Sequence, residues 1–240
     1  MVNRNIYAEI LKAKAEKRKL LAILLDPDKI DWGNFEQLVL KINQAGASHL
    51  FIGGSQVFSS KIDELIVRLK QECTLPVVLF PGNPSQISDR ADGILFLSLI
   101  SGRNPDYLIG HQVEAAPRLR NTGLEVISTG YIIIGSDSET AVSVVSMTKP
   151  LDRSNSEVVA ATAIAGEMLG KKLIYLEAGS GAKLAVPLEM IELVAKNVAV
   201  PLIVGGGIRS HKAIQDAYDS GADLVVIGTA FENDLEFFDR

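Results

Sequence analysis

Two glycine-rich segments near the C-terminal end carry residue types suited to holding an anion: IVGGGIRS at 203–210 and VVIGTAFE at 225–232. Each follows an apolar, β-branched run and leads into a helix start. Glycine lets a backbone approach a ligand closely, and unpaired N–H groups at a helix N-terminus attract negative charge. Gly205 and Gly228 lie 23 residues apart, room for one strand–helix–strand repeat. In a (β/α)8 barrel, the loops after strands 7 and 8 form a phosphate site in this way. The chemistry implied is the capture of a phosphorylated small molecule at a barrel mouth.

Other reactive side chains also fall at predicted strand ends. Asp26 and Asp28 stand in LLDPDK, directly after an apolar run. A carboxylate there can bind Mg²⁺, which takes a few protein oxygens and completes its shell with substrate phosphates. The same residues also suit a turn, because Asp-Pro is common in turns. Lys29 can meet a phosphate or stay solvated. In FIGGS, Gly53 and Gly54 permit close backbone approach and Ser55 offers a hydroxyl to a metal or phosphate, or caps a helix. Glu177, in YLEAGSGA, ends an apolar run, where a charge needs a partner or a task. Gly179, Ser180 and Gly181 follow it with flexible backbone and a hydroxyl.

The elements that position these groups come from the hydrophobic pattern. Short apolar runs alternate with helical periodicity, the mark of a parallel α/β chain. The runs predict strands at 20–25, 48–53, 75–80, 93–98, 124–130, 172–177, 201–205 and 223–228. Helices are predicted near 6–17, 34–45, 57–72, 104–118, 155–170, 187–196, 210–219 and 230–238. Asp31, Ser154 and Ser210 are candidate N-caps, and Gly46, Gly170 and Gly221 sit at helix ends. Two places break the repeat. PGNPSQISDRADG leaves little room for a helix between strands 3 and 4, and 131–154 reads as a long lid or binding loop. The fold class is therefore α/β: one TIM-barrel domain over 1–240, with the helix between strands 3 and 4 short or missing.

Composition narrows the partners. The chain has 240 residues, the size of one such barrel. A net charge of −5 speaks against a nucleic-acid partner, which favours a basic face. Cys73 is the only cysteine, so no internal disulfide forms, in keeping with a reducing cytoplasm. The N-terminal residues lack the apolar core of a signal peptide, and no apolar run reaches membrane-span length. His49, His111 and His211 have no metal-ligand spacing, and no P-loop, nucleophile elbow or dinucleotide fingerprint is present.

Taken together, LLDPDK at 24–29, FIGGS at 51–55, LFPGNPSQIS at 79–88, TGYIIIG at 129–135, YLEAGSGA at 175–182, VGGGIRS at 204–210 and IGTAFE from 227 resemble the geranylgeranylglyceryl phosphate synthase family, which includes the bacterial PcrB-type enzymes. The YLEAGSG form looks like the second of the family's two branches. The other branch places a lysine two residues before the DP aspartate; here that position is Leu24, so that lysine's role is not carried over. The resemblance implies a modified TIM barrel lacking its third helix. It implies an ether bond formed between sn-glycerol 1-phosphate and a polyprenyl diphosphate, geranylgeranyl diphosphate first, with Mg²⁺. By the same resemblance, Asp26 and Ser55 bind Mg²⁺. Tyr175, Leu176, Glu177, Ala178, Gly179, Ser180 and Gly181, with Gly205, Gly206, Gly228 and Thr229, hold glycerol phosphate.

In this reading Glu177 accepts the proton of the attacking hydroxyl. A glutamate with a reference pKa of ~4.3 is ionised at neutral pH, and proton transfer accompanies C–O bond formation. Groove candidates for the prenyl chain are Phe80, Ile100, Tyr107 and the run 131–134. The resemblance also implies a homo-oligomer, dimer or hexamer, and the lipid product implies transient contact with a membrane surface. Two rival readings remain: a phosphosugar isomerase or lyase on the same barrel, and a non-catalytic phosphate-ligand binding protein.

Overall fold

Burial on both faces of each apolar run builds the architecture. In the computed structural model, which describes residues 5–54, 59–135 and 141–239, the runs form β1 (Leu20–Leu25), β2 (His49–Ile52), β3 (Val77–Leu79), β4 (Gly93–Leu99), β5 (Glu125–Ile133), β6 (Leu173–Glu177), β7 (Leu202–Gly205) and β8 (Leu224–Ile227). All pair in parallel and in sequence order, and β8 closes on β1 to make a barrel. Side chains alternate along a strand. Ala22, Phe51, Val78, Leu95, Ile203 and Val226 fill the interior. Ile23, Ile52, Leu79, Leu176 and Val204 turn outward beneath the helices.

Those helices are α2 (Phe35–Gln44), α3 (Ser59–Glu72), α4 (His111–Leu119), α6 (Ser156–Met168), α7 (Leu188–Asn197) and α8 (His211–Asp219). A further helix, α1 (Ile6–Ala15), covers the barrel floor. Its Ile6, Ile10 and Ala13 join the interior cluster. The Glu125 carboxylate accepts the N–H groups of Ile6 and Tyr7 at 2.5 and 3.0 Å, and Lys14 pairs with Asp223 at 2.7 Å. Gly46, Gly170 and Gly221 end helices with φ of 67°, 82° and 112°, a left-handed geometry that favours glycine.

The expected gap between β3 and β4 is present: only a 3₁₀ turn, Pro84–Gln86, joins them. Prolines at 81 and 84 cannot donate helix hydrogen bonds, and Asn83 accepts the Ser85 N–H at 2.9 Å to start the turn. The flank of β4 is consequently left without a covering helix. Across the gap, α4 is entered through a π-helical turn, Asp106–Gly110.

Four expectations need correction. The fifth strand runs on to Ile133 rather than ending at 130, because its pairing with β4 continues to Tyr131 and its pairing with β6 continues to Ile133. The stretch 131–154 contains a short helix, α5 (Ala141–Val145), and returns to the barrel where Leu151 bridges Ile134. The cap of α6 is Asn155, whose side chain accepts the Val158 N–H at 3.2 Å; Ser154 instead donates to Asp152. Asp31 and Ser210 cap as expected. The final helix, α9, spans only Thr229–Asn233.

Candidate active site

The C-terminal strand ends open into one cavity of about 830 Å³. Its polar end is built by β6, β7 and β8. Tyr175 and Glu177 project inward from β6, whereas Leu176 and Ala178 lie in the outward-facing core. Of the residues expected to hold glycerol phosphate, Tyr175, Glu177, Ser180, Gly181, Gly206, Gly228 and Thr229 line the cavity. Ser180 and Thr229, from the loops after β6 and β8, bring their hydroxyls to 3.2 Å. Gly205 and Gly179 act from behind this wall.

The glycines are required by contact. A Cβ on Gly205 would lie 2.4 Å from Tyr175 Oη, and one on Gly206 would lie 2.3 Å from Glu177 Oε1. Gly206 also has φ of 81°, left-handed backbone. Glu177 Oε1 accepts the Gly179 N–H at 2.6 Å. The glutamate is only 6% exposed. Burial pushes its pKa up to about 7, and the Gly179 N–H opposes the rise. This corrects the expectation of a fully ionised glutamate at neutral pH: desolvation disfavours the charged form. Burial, with the Glu177 charge added, also raises the phenol pKa of Tyr175 well above its ordinary value. Among the described residues, two buried side-chain atoms lack a hydrogen-bond partner, Tyr175 Oη and Gln112 Oε1. Both residues line the cavity, and native proteins rarely leave such groups unpaired.

The β1 side of the mouth is charged. Asp26 Oδ1 accepts the Asp28 N–H at 3.1 Å, so the turn reading holds. The carboxylate nonetheless stays on the cavity wall, close enough to β2 that a Cβ on Gly54 would lie 2.9 Å from it. Asp28 turns to Lys61 at 2.8 Å. Lys29 is held between Glu232 and Asp26, at 3.2 and 3.4 Å. Burial alone would lower the Lys29 pKa; the two carboxylates reverse this and raise it. Ser55 lies outside the described residues.

Among the described residues, no cluster of three or more His, Cys, Asp and Glu could hold a metal ion. Asp26 alone suits Mg²⁺, which binds through one or two carboxylates together with substrate phosphates. The donor set therefore fits a metal that a phosphorylated ligand helps to coordinate.

The far end of the cavity is an apolar trench where the helix between β3 and β4 is missing. Phe80, Ile87, Ile94, Phe96, Tyr107 and Ala115 line it. Phe80 stacks on Tyr175 at 5.4 Å, joining the trench to the polar end. Of the groove candidates, Phe80, Tyr107 and Tyr131 line the cavity. Ile132 and Ile134 face the helices, and Ile133 fills the barrel interior. Ile100 reaches instead into the space beside Gly130 and Gly166.

Residues 12–239 match the PcrB family. The chain belongs to that family. A geranylgeranylglyceryl phosphate synthase of Flavobacterium johnsoniae is 65% identical over 234 residues, covering 98% of this chain and 96% of the relative. The synthase of Thermococcus kodakarensis is 42% identical, covering 91% and 86%. The crystal structure of (S)-3-O-geranylgeranylglyceryl phosphate synthase from Thermoplasma acidophilum, in complex with sn-glycerol-1-phosphate, matches with a TM-score of 0.92 at 30% identity, covering 98% and 95%.

Within this PcrB-family site, sequence reasoning assigned no role to two residues. Arg209 donates to the Gly181 and Ala182 carbonyls at 2.8 and 3.0 Å and so pins the loop after β6. Glu232 accepts the Asp26 N–H at 3.0 Å. Both stand inside motifs already noted, VGGGIRS and IGTAFE. Their local signals are ordinary: a cation before a helix, and an acid in a helix's first turn.

Proposed function

We propose that this PcrB-family enzyme is a prenyltransferase. It joins sn-glycerol 1-phosphate to a polyprenyl diphosphate, with geranylgeranyl diphosphate the first choice, through an ether bond and releases diphosphate with Mg²⁺. The observation that carries this reading is one cavity with two unlike ends. A hydroxyl-lined, glycine-rich rim suits a small phosphate, and a continuous apolar trench suits a long hydrocarbon. The relatives named as synthases, and the glycerol phosphate bound in the Thermoplasma acidophilum enzyme, support it.

The residues divide the work. The loops carrying Ser180, Gly181, Gly206, Gly228 and Thr229 hold the phosphate. Tyr175 and Glu177 meet the glycerol hydroxyls. The glycerol oxygen forms a bond to the allylic carbon as that carbon's bond to the diphosphate oxygen breaks. The bonding electrons leave with the diphosphate, and Glu177 takes the hydroxyl proton. A carboxylate whose pKa lies near 7 is a stronger base than an ordinary one, yet still deprotonated in a useful fraction at neutral pH. Asp26, with Ser55, would hold Mg²⁺, which supplies charge neutralisation to the departing diphosphate when bound.

A phosphosugar isomerase or lyase would use the rim but give the trench no task. The test is transfer of label from sn-glycerol 1-phosphate into organic extract, with prenyl diphosphates of several lengths and with Mg²⁺ present or removed. Mg²⁺-dependent label supports the reading. Bound glycerol phosphate without transfer at any chain length overturns it. Assembly as a homo-oligomer and a cytoplasmic location belong to the same proposal. Light scattering checks the first, where a monomer at every concentration would refute it.

A further inference from the structure

Asp26, Lys29 and Glu232 form a charge cluster on the cavity wall that the proton transfer does not use. Glu232, in α9, has a side chain only 12% exposed. Both its oxygens serve the turn after β1: Oε1 accepts the Asp26 N–H at 3.0 Å, and Oε2 accepts from Lys29 Nζ at 3.2 Å. Lys29 Nζ also lies 3.4 Å from Asp26 Oδ2. A half-exposed lysine paired with one carboxylate is weakly held, because the pairing barely offsets the freedom lost by a long side chain. Two carboxylates within ion-pair distance of the ammonium, at 3.2 and 3.4 Å, fix it in place. Glu232 thereby sets the backbone from which Asp26 projects and the cation beside it.

We propose that Glu232 is a positioning residue for the leaving group, holding Lys29 at the wall where its ammonium meets diphosphate oxygens. The inference rests on the prenyl-transfer reading. The cluster carries two negative charges and one positive, a net of −1. Bare diphosphate is repelled by that sum; a divalent cation shared between the diphosphate and the Asp26 carboxylate offsets the repulsion, and Lys29 then adds a charge-assisted hydrogen bond. Glu232 should therefore govern the affinity of metal-bound diphosphate and leave glycerol phosphate alone.

The experiment compares the full-length wild type with Glu232→Gln and Lys29→Met. Inorganic pyrophosphate binding is measured by calorimetry with and without Mn²⁺, and Mn²⁺ retention by electron paramagnetic resonance. Glycerol 1-phosphate affinity, melting temperature, kcat and KM for the prenyl diphosphate are read alongside. Glutamine keeps the acceptor for the Asp26 N–H but removes the charge that holds Lys29. Each single variant should weaken pyrophosphate binding in Mn²⁺ by about tenfold, the scale of one charge-assisted hydrogen bond. KM for the prenyl diphosphate should rise in parallel. The double variant should lose no more than either single one, because both remove the same contact. Glycerol 1-phosphate affinity and melting temperature should hold.

Wild-type pyrophosphate affinity in Glu232→Gln overturns the proposal. So does an equal loss of glycerol phosphate binding, which marks a merely structural tether. If Glu232→Gln does not fold, Lys29→Met alone decides: unchanged pyrophosphate affinity refutes the contact. A wild type that binds glycerol phosphate but neither binds Mn²⁺–pyrophosphate nor transfers label fails the prenyl-transfer reading itself, and this inference with it.

Discussion

The rim formed by β6, β7 and β8 and the trench along β4 are built by opposite rules. On the rim, backbone geometry decides. Gly205 and Gly206 leave the space that Tyr175 and Glu177 occupy, and the Gly179 N–H holds Glu177 Oε1 at 2.6 Å. In the trench, an omission decides. Two prolines and a 3₁₀ turn replace a helix, so outward side chains such as Ile94 and Phe96 line a cavity instead of a helix interface. One end of the site is thus intolerant of added atoms. The other is defined by apolar volume and should accept substitution with a change of preference rather than a loss.

The largest test of this contrast is Glu177→Gln. Turnover should fall by about 10²- to 10⁴-fold, the range for a lost general base, while glycerol phosphate affinity stays within a few-fold. In the wild type, kcat/KM should rise with pH through about 7 as the buried carboxyl ionises, and the variant should lack that limb. Unchanged turnover would remove Glu177 from the chemistry. Gly206→Ala comes next. Its methyl would meet Glu177 Oε1 at 2.3 Å and Gly179 N at 2.6 Å on left-handed backbone. Glycerol phosphate binding, read by calorimetry, should weaken about a hundredfold; near-normal affinity would break the claim that the rim cannot accept an atom.

Asp26→Asn should move the midpoint of the Mg²⁺ activation curve upward by about tenfold, since a carboxylate ligand becomes a neutral amide. An identical titration would exclude Asp26 as a ligand. The same buried Glu177 also links stability to pH. Its pKa is raised from 4.5 to about 7 in the folded state. The folded protein therefore keeps a proton that the unfolded chain releases near 4.5. The resulting stability is full below that pH and is lost as pH rises through about 7. Glu177→Gln should gain on the wild type between pH 4.5 and 8 by on the order of 2–3 kcal/mol in urea unfolding. A pH-independent difference between the two proteins would show the carboxyl to be hydrated.

The smallest effect belongs to the trench. Ala115→Phe, on α4, adds bulk where the cavity wall is apolar. It should shift the ratio of kcat/KM between long and short prenyl diphosphates by about tenfold toward the shorter, with glycerol phosphate affinity unchanged. A uniform loss across chain lengths would place the prenyl chain elsewhere.

Much of the site was legible because its signals are local. Glu177 stood out as an acid closing an apolar strand, and GGG and GSG as segments where flexible backbone can approach a ligand closely. The 3₁₀ turn was legible as two prolines and a glycine where a helix should be. Leu176 and Ala178 were assigned with their neighbours because a motif is contiguous, whereas strand alternation turns their side chains to the helices. Ile100 and the run 132–134 failed as groove candidates for a related reason: apolar character does not tell which face a side chain takes.

The amino-acid order alone settled the eight-strand alternation, the missing third helix and the glycine loops, because each depends on residues within a turn or a strand of one another. Tertiary structure alone decided which distant groups meet. Glu232 reaches the Asp26 N–H across 206 residues of chain, and Arg209 reaches Gly181 across 28. It also decided the proton affinity of Glu177. A carboxylate's pKa is set by the water it loses and the dipoles that replace it, and those are fixed only once the barrel has closed around it.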